Sequence, residues 1–329
     1  MPNASERPTS KQTRHTVSIV LPTLHRTHKH IFFTMERFNP FKGMGVAVVT
    51  PFNAEGGIDF SALGQLIENQ LAGGADFLCL LGTTAETPCL TADEKAEVVR
   101  FFVKQVNGRV PLLVGAGGNC TATVIDYLTH ADLTGIDGVL IVTPYYNKPT
   151  QEGLFQHYKA VAAATNLPVI LYNVPGRTGV NMTAETTLRI AHDCPNVVAV
   201  KEASGNLAQI EKILAGAPEG FEVLSGDDAI TYELLLLGAA GVISVVGNAL
   251  PAVFADMTHA IREGRTADAL AIHHSLNDLY PLLGVDGNPA GVKTLLAQQG
   301  SIANVLRLPL VPASEKTAAG IAEWLKAHC

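Results

Sequence analysis

Lys201 is the residue whose type and position point most directly to chemistry. It lies near the end of a short apolar run, VVAVKE at residues 197–202, which is bounded by a Pro-Asn pair and a Ser-Gly pair. A run of this kind, without polar alternation, predicts a strand that is buried on both faces. Burial disfavours the charged ammonium and lowers its pKa, which makes the amine a nucleophile able to condense with a ketone. The alternative is a lysine that ends a strand, reaches water and pairs with Glu202.

Eight apolar runs of this kind alternate with segments that carry helix signals. The predicted strands are residues 45–50, 77–82, 111–115, 138–143, 168–173, 197–201, 221–225 and 241–245. Two helix starts are clear, since Asp59 can cap one helix and residues 91–94 (TADE) form a capping box for another. Eight strictly alternating units predict the α/β class and a closed (β/α)8 TIM barrel. An open doubly wound sheet is the alternative, but no G-x-G-x-x-G motif opens a helix.

The chain divides into three predicted parts. Residues 1–34 are basic and rich in Ser and Thr, which predicts a disordered extension, with an organelle transit peptide or translation from an upstream start as alternatives. The barrel is expected at residues 35–265. Amphipathic segments without strand signals predict a C-terminal helical region at residues 266–329.

Charge and cysteine content exclude several classes of partner. The net charge of -7 disfavours a nucleic-acid groove and an anionic membrane surface, because both require basic clusters. Five cysteines without C-x-x-C spacing exclude a zinc knuckle and indicate reduced thiols, so a cytoplasmic location is expected. Residues 234–255 carry no charge, but glycines and a proline divide them, which predicts a helix end, a strand and a loop rather than a membrane span.

The residues at the predicted strand ends suggest one kind of chemistry. In such barrels the reacting groups gather where the strands end. These positions hold a lysine, tyrosines, threonines and an arginine, but no histidine cluster and no carboxylate set for a divalent metal. A metal-dependent aldolase is therefore disfavoured, and no metal is expected. An amine with phenols is suited to Schiff-base chemistry.

Five motifs occur in order along the chain. They are residues 82–86 (GTTAE), 143–147 (TPYYN), 172–179 (YNVPGRTG), 201–205 (KEASG) and 225–228 (SGDD). With this order and spacing, the chain from about Met35 to the C-terminus resembles the dihydrodipicolinate synthase family of pyruvate-dependent, class I aldolase-like lyases. The resemblance implies the condensation of pyruvate with L-aspartate-4-semialdehyde, on the route to diaminopimelate and lysine, without a cofactor.

The resemblance also implies catalytic roles. Lys201 corresponds to the lysine that forms an imine with pyruvate, and Tyr172 to the general acid and base beside it. Thr83 and Tyr146 correspond to the other members of a proton relay, for which hydroxyl groups suit because they both donate and accept. Tyr146 reaches the neighbouring subunit's site in this family, so at least a dimer is implied, and a homotetramer built as a dimer of dimers is expected. Turn and core roles are the alternatives for Thr83 and Tyr146.

Four further residues correspond to substrate-binding positions. Thr84 matches the ligand of the pyruvate carboxylate, and Ile243 the residue whose backbone carbonyl contacts pyruvate. Gly226 leaves room for substrate, although a turn glycine needs no such reason. Arg177 matches the arginine that binds the carboxylate of the semialdehyde, a task suited to a bidentate guanidinium. Its alternative role is an ion pair with a rim carboxylate such as Asp228.

Two other functions remain open from the sequence. The first is a sister pyruvate-dependent aldolase, either an N-acetylneuraminate lyase or a 2-keto-3-deoxy sugar acid aldolase, against which Arg177 and the Thr83-Thr84 pair argue. The second is a non-catalytic barrel that binds a metabolite or a partner. One departure from the family is Ala85, where glycine is usual, which predicts either a turn conformation that alanine tolerates or some backbone strain.

Overall fold

A computed structural model describes residues 37–328 of the chain. Its eight strands are β1 (Gly43–Ala47), β2 (Phe77–Leu80), β3 (Leu112–Gly115), β4 (Gly138–Val142), β5 (Val169–Asn173), β6 (Val197–Glu202), β7 (Glu222–Ser225) and β8 (Gly241–Ser244). They pair in parallel in chain order, and β8 pairs with β1, so the sheet closes. The predicted TIM barrel is confirmed, and the open-sheet alternative is wrong. The extension predicted at residues 1–34 lies outside the described residues.

The first strand differs most from its prediction. The apolar run at residues 45–50 was expected to be the strand, whereas β1 begins at Gly43 and ends at Ala47. Residues beyond Ala47 stay buried because other groups satisfy their backbone. The amide of Val48 donates to Cys79 O at 2.9 Å, and that of Val49 to the side chain of Asn248 at 3.0 Å. Apolar character therefore marks burial here, while the regular ladder ends earlier.

Helices follow the strands and continue after the last one. They are α1 (Phe60–Ala72), α2 (Ala92–Val106), α3 (Thr121–His130), α4 (Gln151–Ala163), α5 (Pro175–Thr178), α6 (Ala184–Asp193), α7 (Leu207–Gly216), α8 (Thr231–Leu236), α9 (Pro251–Arg262), α10 (Thr266–Leu276), α11 (Leu279–Gly284), α12 (Ala290–Gln298) and α13 (Glu315–His328). Both predicted helix starts are confirmed. Asp59 accepts from the amide of Ala62, and Thr91 forms the capping box with Glu94.

The strands separate two apolar cores. Alternate side chains point into the barrel and outward to the helices. The inner cluster includes Phe77, Ile170, Leu224 and Ile243, and Tyr172 lies in the same cluster. The barrel interior is thus filled, and its contents form a floor beneath the strand ends.

The uncharged stretch at residues 234–255 does not form one long helix. It contains the end of α8, strand β8, a short 3₁₀ turn at Val246–Asn248 and the start of α9, as predicted. Across residues 37–328, every helix is too short or too polar to cross a membrane.

Candidate active site

Lys201 lies near the end of β6, a strand in which every residue is buried. Its register partner on β5 is Tyr172, and the Lys201 Nζ lies 4.5 Å from the centre of the Tyr172 ring. Both side chains are 6% exposed. Partners in a parallel ladder face the same side of the sheet, so the barrel itself brings the amine and the phenol together.

The alternative role for Lys201, an ion pair with Glu202, is wrong. Successive strand residues point to opposite faces, and the Glu202 carboxylate lies on the far side of β6 from the amine. It accepts hydrogen bonds from Asn173 Nδ2 at 3.1 Å, Ser204 N at 2.9 Å and Gln209 Nε2 at 3.1 Å. Burial raises the pKa of Glu202. Within residues 37–328, Lys201 takes part in no ion pair.

The segment after β2 presents two threonines to the site. Thr83 and Thr84 begin a 3₁₀ turn, Thr83–Ala85, and Thr84 is 2% exposed. The Thr84 hydroxyl oxygen accepts from Asn288 Nδ2 at 2.9 Å, so its proton is free to be donated elsewhere. Ala85 has no positive φ, as predicted; the left-handed conformation falls on the next residue, Glu86, with φ 54°.

Two cavities open at this end of the barrel and share a wall. One, of about 370 Å³, is lined by Thr83 and Tyr145, and the other, of about 540 Å³, by Lys201 and Thr84. Tyr172, Val174 and Arg177 line both. Tyr172 therefore borders both the cavity lined by Thr83 and the cavity lined by Lys201.

The space that Gly226 leaves is filled by the Lys201 side chain and by Ala203. A Cβ atom at this position would lie 2.8 Å from Ala203 Cβ and 3.0 Å from Lys201 Cε. Any side chain there would displace the lysine or the neighbouring loop. Ile243, on β8, is 1% exposed and packs in the inner cluster beneath the site.

Arg177 is exposed at the rim, on the short helix α5, and donates from Nη2 to Asn288 O at 3.2 Å. The alternative partner, Asp228, is engaged elsewhere. Its Oδ2 accepts from the amides of Val245 and Val246 at 2.9 and 2.7 Å. Its Oδ1 is buried and has no hydrogen-bond partner within the described part of the chain. Burial raises the pKa of Asp228 to about 6.

Tyr146 is the one predicted catalytic residue that this single chain does not bring to the others. It is 88% exposed, has φ 72°, and lines neither of the two cavities. Within one chain, the structure therefore does not join Tyr146 to the cavity that contains Lys201.

Asn288 is a site residue that the sequence did not reveal. It lies just before α12, and it contacts Thr84 through its side chain and Arg177 through its backbone carbonyl. Thr84 and Asn288 are 204 positions apart, and no local pattern marks the contact. The described residues contain no group of three His, Cys, Asp or Glu side chains arranged to hold a metal ion.

Comparison with known proteins agrees with this geometry. The family model of the dihydrodipicolinate synthetase family matches residues 40–328. A 4-hydroxy-tetrahydrodipicolinate synthase from Phocaeicola vulgatus is 58% identical over 271 residues, which is 82% of this chain and 91% of the relative. A protein of the same name from Bacillus subtilis is 47% identical and covers 84% of this chain and 95% of its own.

Solved structures show the same relationship. The dihydrodipicolinate synthase of Thermotoga maritima has a TM-score of 0.85 and 44% identity, over 88% of this chain and 99% of that chain. A structure presented as the first monomeric dihydrodipicolinate synthase variant has a TM-score of 0.84 and 44% identity, over 87% and 96% of the two chains. In sequence and in fold, this chain belongs to the dihydrodipicolinate synthetase family.

Proposed function

We propose that the protein is a 4-hydroxy-tetrahydrodipicolinate synthase, a lyase of the Schiff-base type, which joins pyruvate to L-aspartate-4-semialdehyde. The observation that carries the proposal is the buried Lys201 amine, held against the Tyr172 ring and facing the same cavity as Thr84 and Arg177. A buried amine beside a phenol is suited to imine formation with a ketone, because the phenol can transfer the protons that the reaction needs. The high identity to enzymes of this name supports the choice of substrates.

The reaction begins at Lys201. Its neutral amine attacks the ketone carbon of pyruvate, and loss of water leaves a protonated imine. The imine withdraws electrons, so the pyruvate methyl group loses a proton and the resulting enamine carbon attacks the aldehyde. The amino group of the second substrate then replaces Lys201 at the imine carbon, which closes the ring and regenerates the free lysine. One water is released overall.

Tyr172 is the proposed acid and base for these proton transfers. It gives a proton to the departing hydroxyl and to the aldehyde oxygen, and recovers protons through a relay of Thr83 and Tyr146. The position of Tyr172 between the two cavities supports this role, because Thr83 lines the first and Lys201 the second.

The remaining residues bind the carboxylates and shape the pocket. Thr84 donates its hydroxyl proton to the pyruvate carboxylate, which is possible because the oxygen already accepts from Asn288. The backbone carbonyl of Ile243 contacts pyruvate, and Gly226 leaves space for the side chain of Lys201. Arg177 is exposed at the rim, where a guanidinium can bind the carboxylate of the incoming semialdehyde.

We propose that the working form is an oligomer, a homotetramer built as a dimer of dimers, in which Tyr146 completes the neighbouring subunit's relay. Its 88% exposure within one chain supports this, as does the relative whose monomeric form is presented as a variant.

A cytoplasmic location is supported by four cysteines that form no disulfide within residues 37–328.

The substrate assignment is tested by supplying pyruvate with different aldehydes. Turnover with L-aspartate-4-semialdehyde, and none with N-acetylmannosamine or with a sugar-derived aldehyde, is the expected result. Preference for a sugar aldehyde would assign the protein to a sister aldolase. The shared site is tested by mixing Tyr146→Phe and Lys201→Arg subunits, each of which should have little activity alone. Mixed oligomers should regain activity, because one site then contains both native residues.

A further inference from the structure

A second lysine, Lys293, is buried completely and lies outside the proposed catalytic set. It extends from α12, and its Nζ lies 2.5 Å from Glu86 Oε1, with both side chains 0% exposed. The ammonium also donates to Val305 O at 3.0 Å and lies 4.2 Å from the centre of the Phe52 ring. Burial lowers the pKa of Lys293, and the neighbouring carboxylate opposes that shift. Lysine and glutamate are almost never buried in this way unless they are paired.

The second oxygen of the Glu86 carboxylate is also occupied. Glu86 Oε2 accepts from the backbone amide of Arg307 at 2.9 Å. The Arg307 guanidinium in turn binds both oxygens of Glu94, at 2.6 and 2.8 Å, and lies 4.5 Å from the Phe52 ring. Glu86 is therefore fixed at two points, by α12 and by the segment between α12 and α13.

Glu86 ends the turn that presents the two threonines. Its amide donates to Thr83 O at 3.1 Å, and its backbone is left-handed, with φ 54° and ψ 35°. A residue other than glycine in that region costs free energy and persists where its surroundings hold it. The Thr50 hydroxyl holds the turn from the barrel side, by donating to Ala85 O at 2.8 Å. On the other side, the charged group of Lys293 holds Glu86.

A buried ion pair is a costly way to stabilise a fold. Apolar side chains of similar volume are often as stable or more so, because two charges must leave water. The pair instead fixes the relative position of the two segments that carry it, because a buried charge is stable only when its partner lies within hydrogen-bond distance. Here it defines where α12 lies against residues 83–86.

We propose that Lys293 and Glu86 are positioning residues, whose ion pair sets the Thr83-Thr84 turn for pyruvate. The inference rests on the proposed function, because that function assigns Thr84, in this turn, to the pyruvate carboxylate. Glu86 lies two residues after Thr84, whereas Arg177 approaches from α5 and makes its hydrogen bond to Asn288, not to either member of the pair. Loss of the pair should therefore weaken the binding of pyruvate far more than the binding of the semialdehyde.

The experiment compares Lys293→Met, Glu86→Gln and the double variant by steady-state kinetics and by borohydride trapping at graded pyruvate concentrations. Methionine keeps the unbranched shape and most of the length of lysine without its charge. We expect kcat/KM for pyruvate, and the trapping rate at low pyruvate, to fall on the order of ten- to a hundredfold, as misplaced site groups typically cause. The KM for the semialdehyde should stay within about twofold of wild type.

The double variant separates positioning from stability. Each single variant buries an unpaired charge and should melt at a lower temperature, whereas the double variant buries none and should regain much of its Tm. Its kcat/KM for pyruvate should stay low. Wild-type kcat/KM for pyruvate in the folded double variant would overturn the inference.

A matched control comes from the same helix. Leu295→Ala removes a fully buried side chain of α12 and should lower the Tm by leaving a cavity, without a selective effect on pyruvate. An equal selective loss in Leu295→Ala would mean that any damage to α12 has this effect, and would also overturn the inference. Wild-type protein that fails to trap pyruvate would instead contradict the proposed function.

If the charge variants do not fold, hydrogen exchange in the wild-type protein decides the question. The amide of Arg307 donates to Glu86, while that of Met44 donates to Asp76 at 2.7 Å, at the start of β1. Trapping pyruvate on Lys201 should slow exchange at Arg307 and leave Met44 unchanged. Equal behaviour of the two amides would show that the pair is not coupled to the site.

Discussion

Lys201 Nζ lies 4.5 Å from the centre of the Tyr172 ring, and the two residues are register partners on β5 and β6. The ring face attracts a cation, and the phenol remains next to the amine after the charge is lost. Because two strands fix the pair, no loop has to close in order to bring the proposed nucleophile and its proposed acid together. The proximity on which the proposed chemistry depends is therefore set by the strands of the barrel.

The hydroxyl of Tyr172 should matter much more for rate than for stability. Tyr172→Phe keeps the ring against Lys201 and removes the proton donor, so we expect kcat to fall about 10²- to 10⁴-fold with a nearly unchanged Tm. Tyr158→Phe is the matched control, since the Tyr158 hydroxyl donates to Ile141 O at 3.0 Å and Tyr158 lines neither cavity. It should cost about 1 kcal/mol of stability and leave kcat near wild type. The reverse pattern would contradict the assignment.

Arg177 should select the second substrate. Truncation of a charge-assisted contact typically costs about 1.5–3 kcal/mol, or roughly ten- to 150-fold. We expect Arg177→Ala to lose that much in kcat/KM for the semialdehyde while imine formation with pyruvate continues. Arg109→Ala, which removes a half-exposed partner of Glu68, should change neither. Equal losses in both half-reactions would mean that Arg177 shapes the pocket as a whole.

Lys201 should reach its observed position only if residue 226 has no side chain. The glycine backbone is not in the left-handed region, so alanine is tolerated conformationally, but its Cβ would lie 3.0 Å from Lys201 Cε. We expect Gly226→Ala to slow borohydride-trapped imine formation on the order of tenfold or more, through displacement of the amine. Gly64→Ala meets only an ordinary contact at 3.5 Å with Phe101 and serves as control. Unchanged trapping in Gly226→Ala would show that the pocket has room to spare.

Asp228 should make stability fall as pH rises. Its folded-state pKa is about 6, against a usual value of 3.8, and burial is the main cause. The folded state thus keeps a proton that the unfolded state has released, so this contribution is full below about pH 4 and is lost as pH passes 6. Two pKa units correspond to about 2–3 kcal/mol at most.

The test is Asp228→Asn, which mimics the protonated acid and can still accept from Val245 and Val246. The Tm of this variant relative to wild type should rise between about pH 4 and pH 7, as read from thermal melts. A difference that is constant over this range would show that Asp228 has an ordinary pKa.

The strands and helices of the barrel could be predicted from the sequence because each depends on local signals. Apolar runs marked all eight strands, and Asp59 and Thr91 marked two helix starts. Once Lys201 and Tyr172 were assigned to adjacent strand ends, their proximity followed from parallel pairing. Predicted strand bounds differed by a few residues, most at β1, because burial continues after the ladder ends.

What the sequence did not predict are contacts between distant segments. Lys293 and Glu86 are 207 positions apart, and neither has a local pattern that announces a buried pair. Asn288 contacts both Thr84 and Arg177, and no local pattern marks it. These contacts depend on how the C-terminal helices pack over the barrel mouth, which periodicity does not encode.

The most direct test of the account is borohydride reduction of the protein in the presence of pyruvate, followed by peptide mapping. We predict a reduced imine at Lys201 alone, and no adduct in Lys201→Arg, because a guanidinium cannot act as this nucleophile. Both forms should fold, as judged by their melting curves. An adduct on any other lysine, or an adduct that persists in Lys201→Arg, would contradict the central claim.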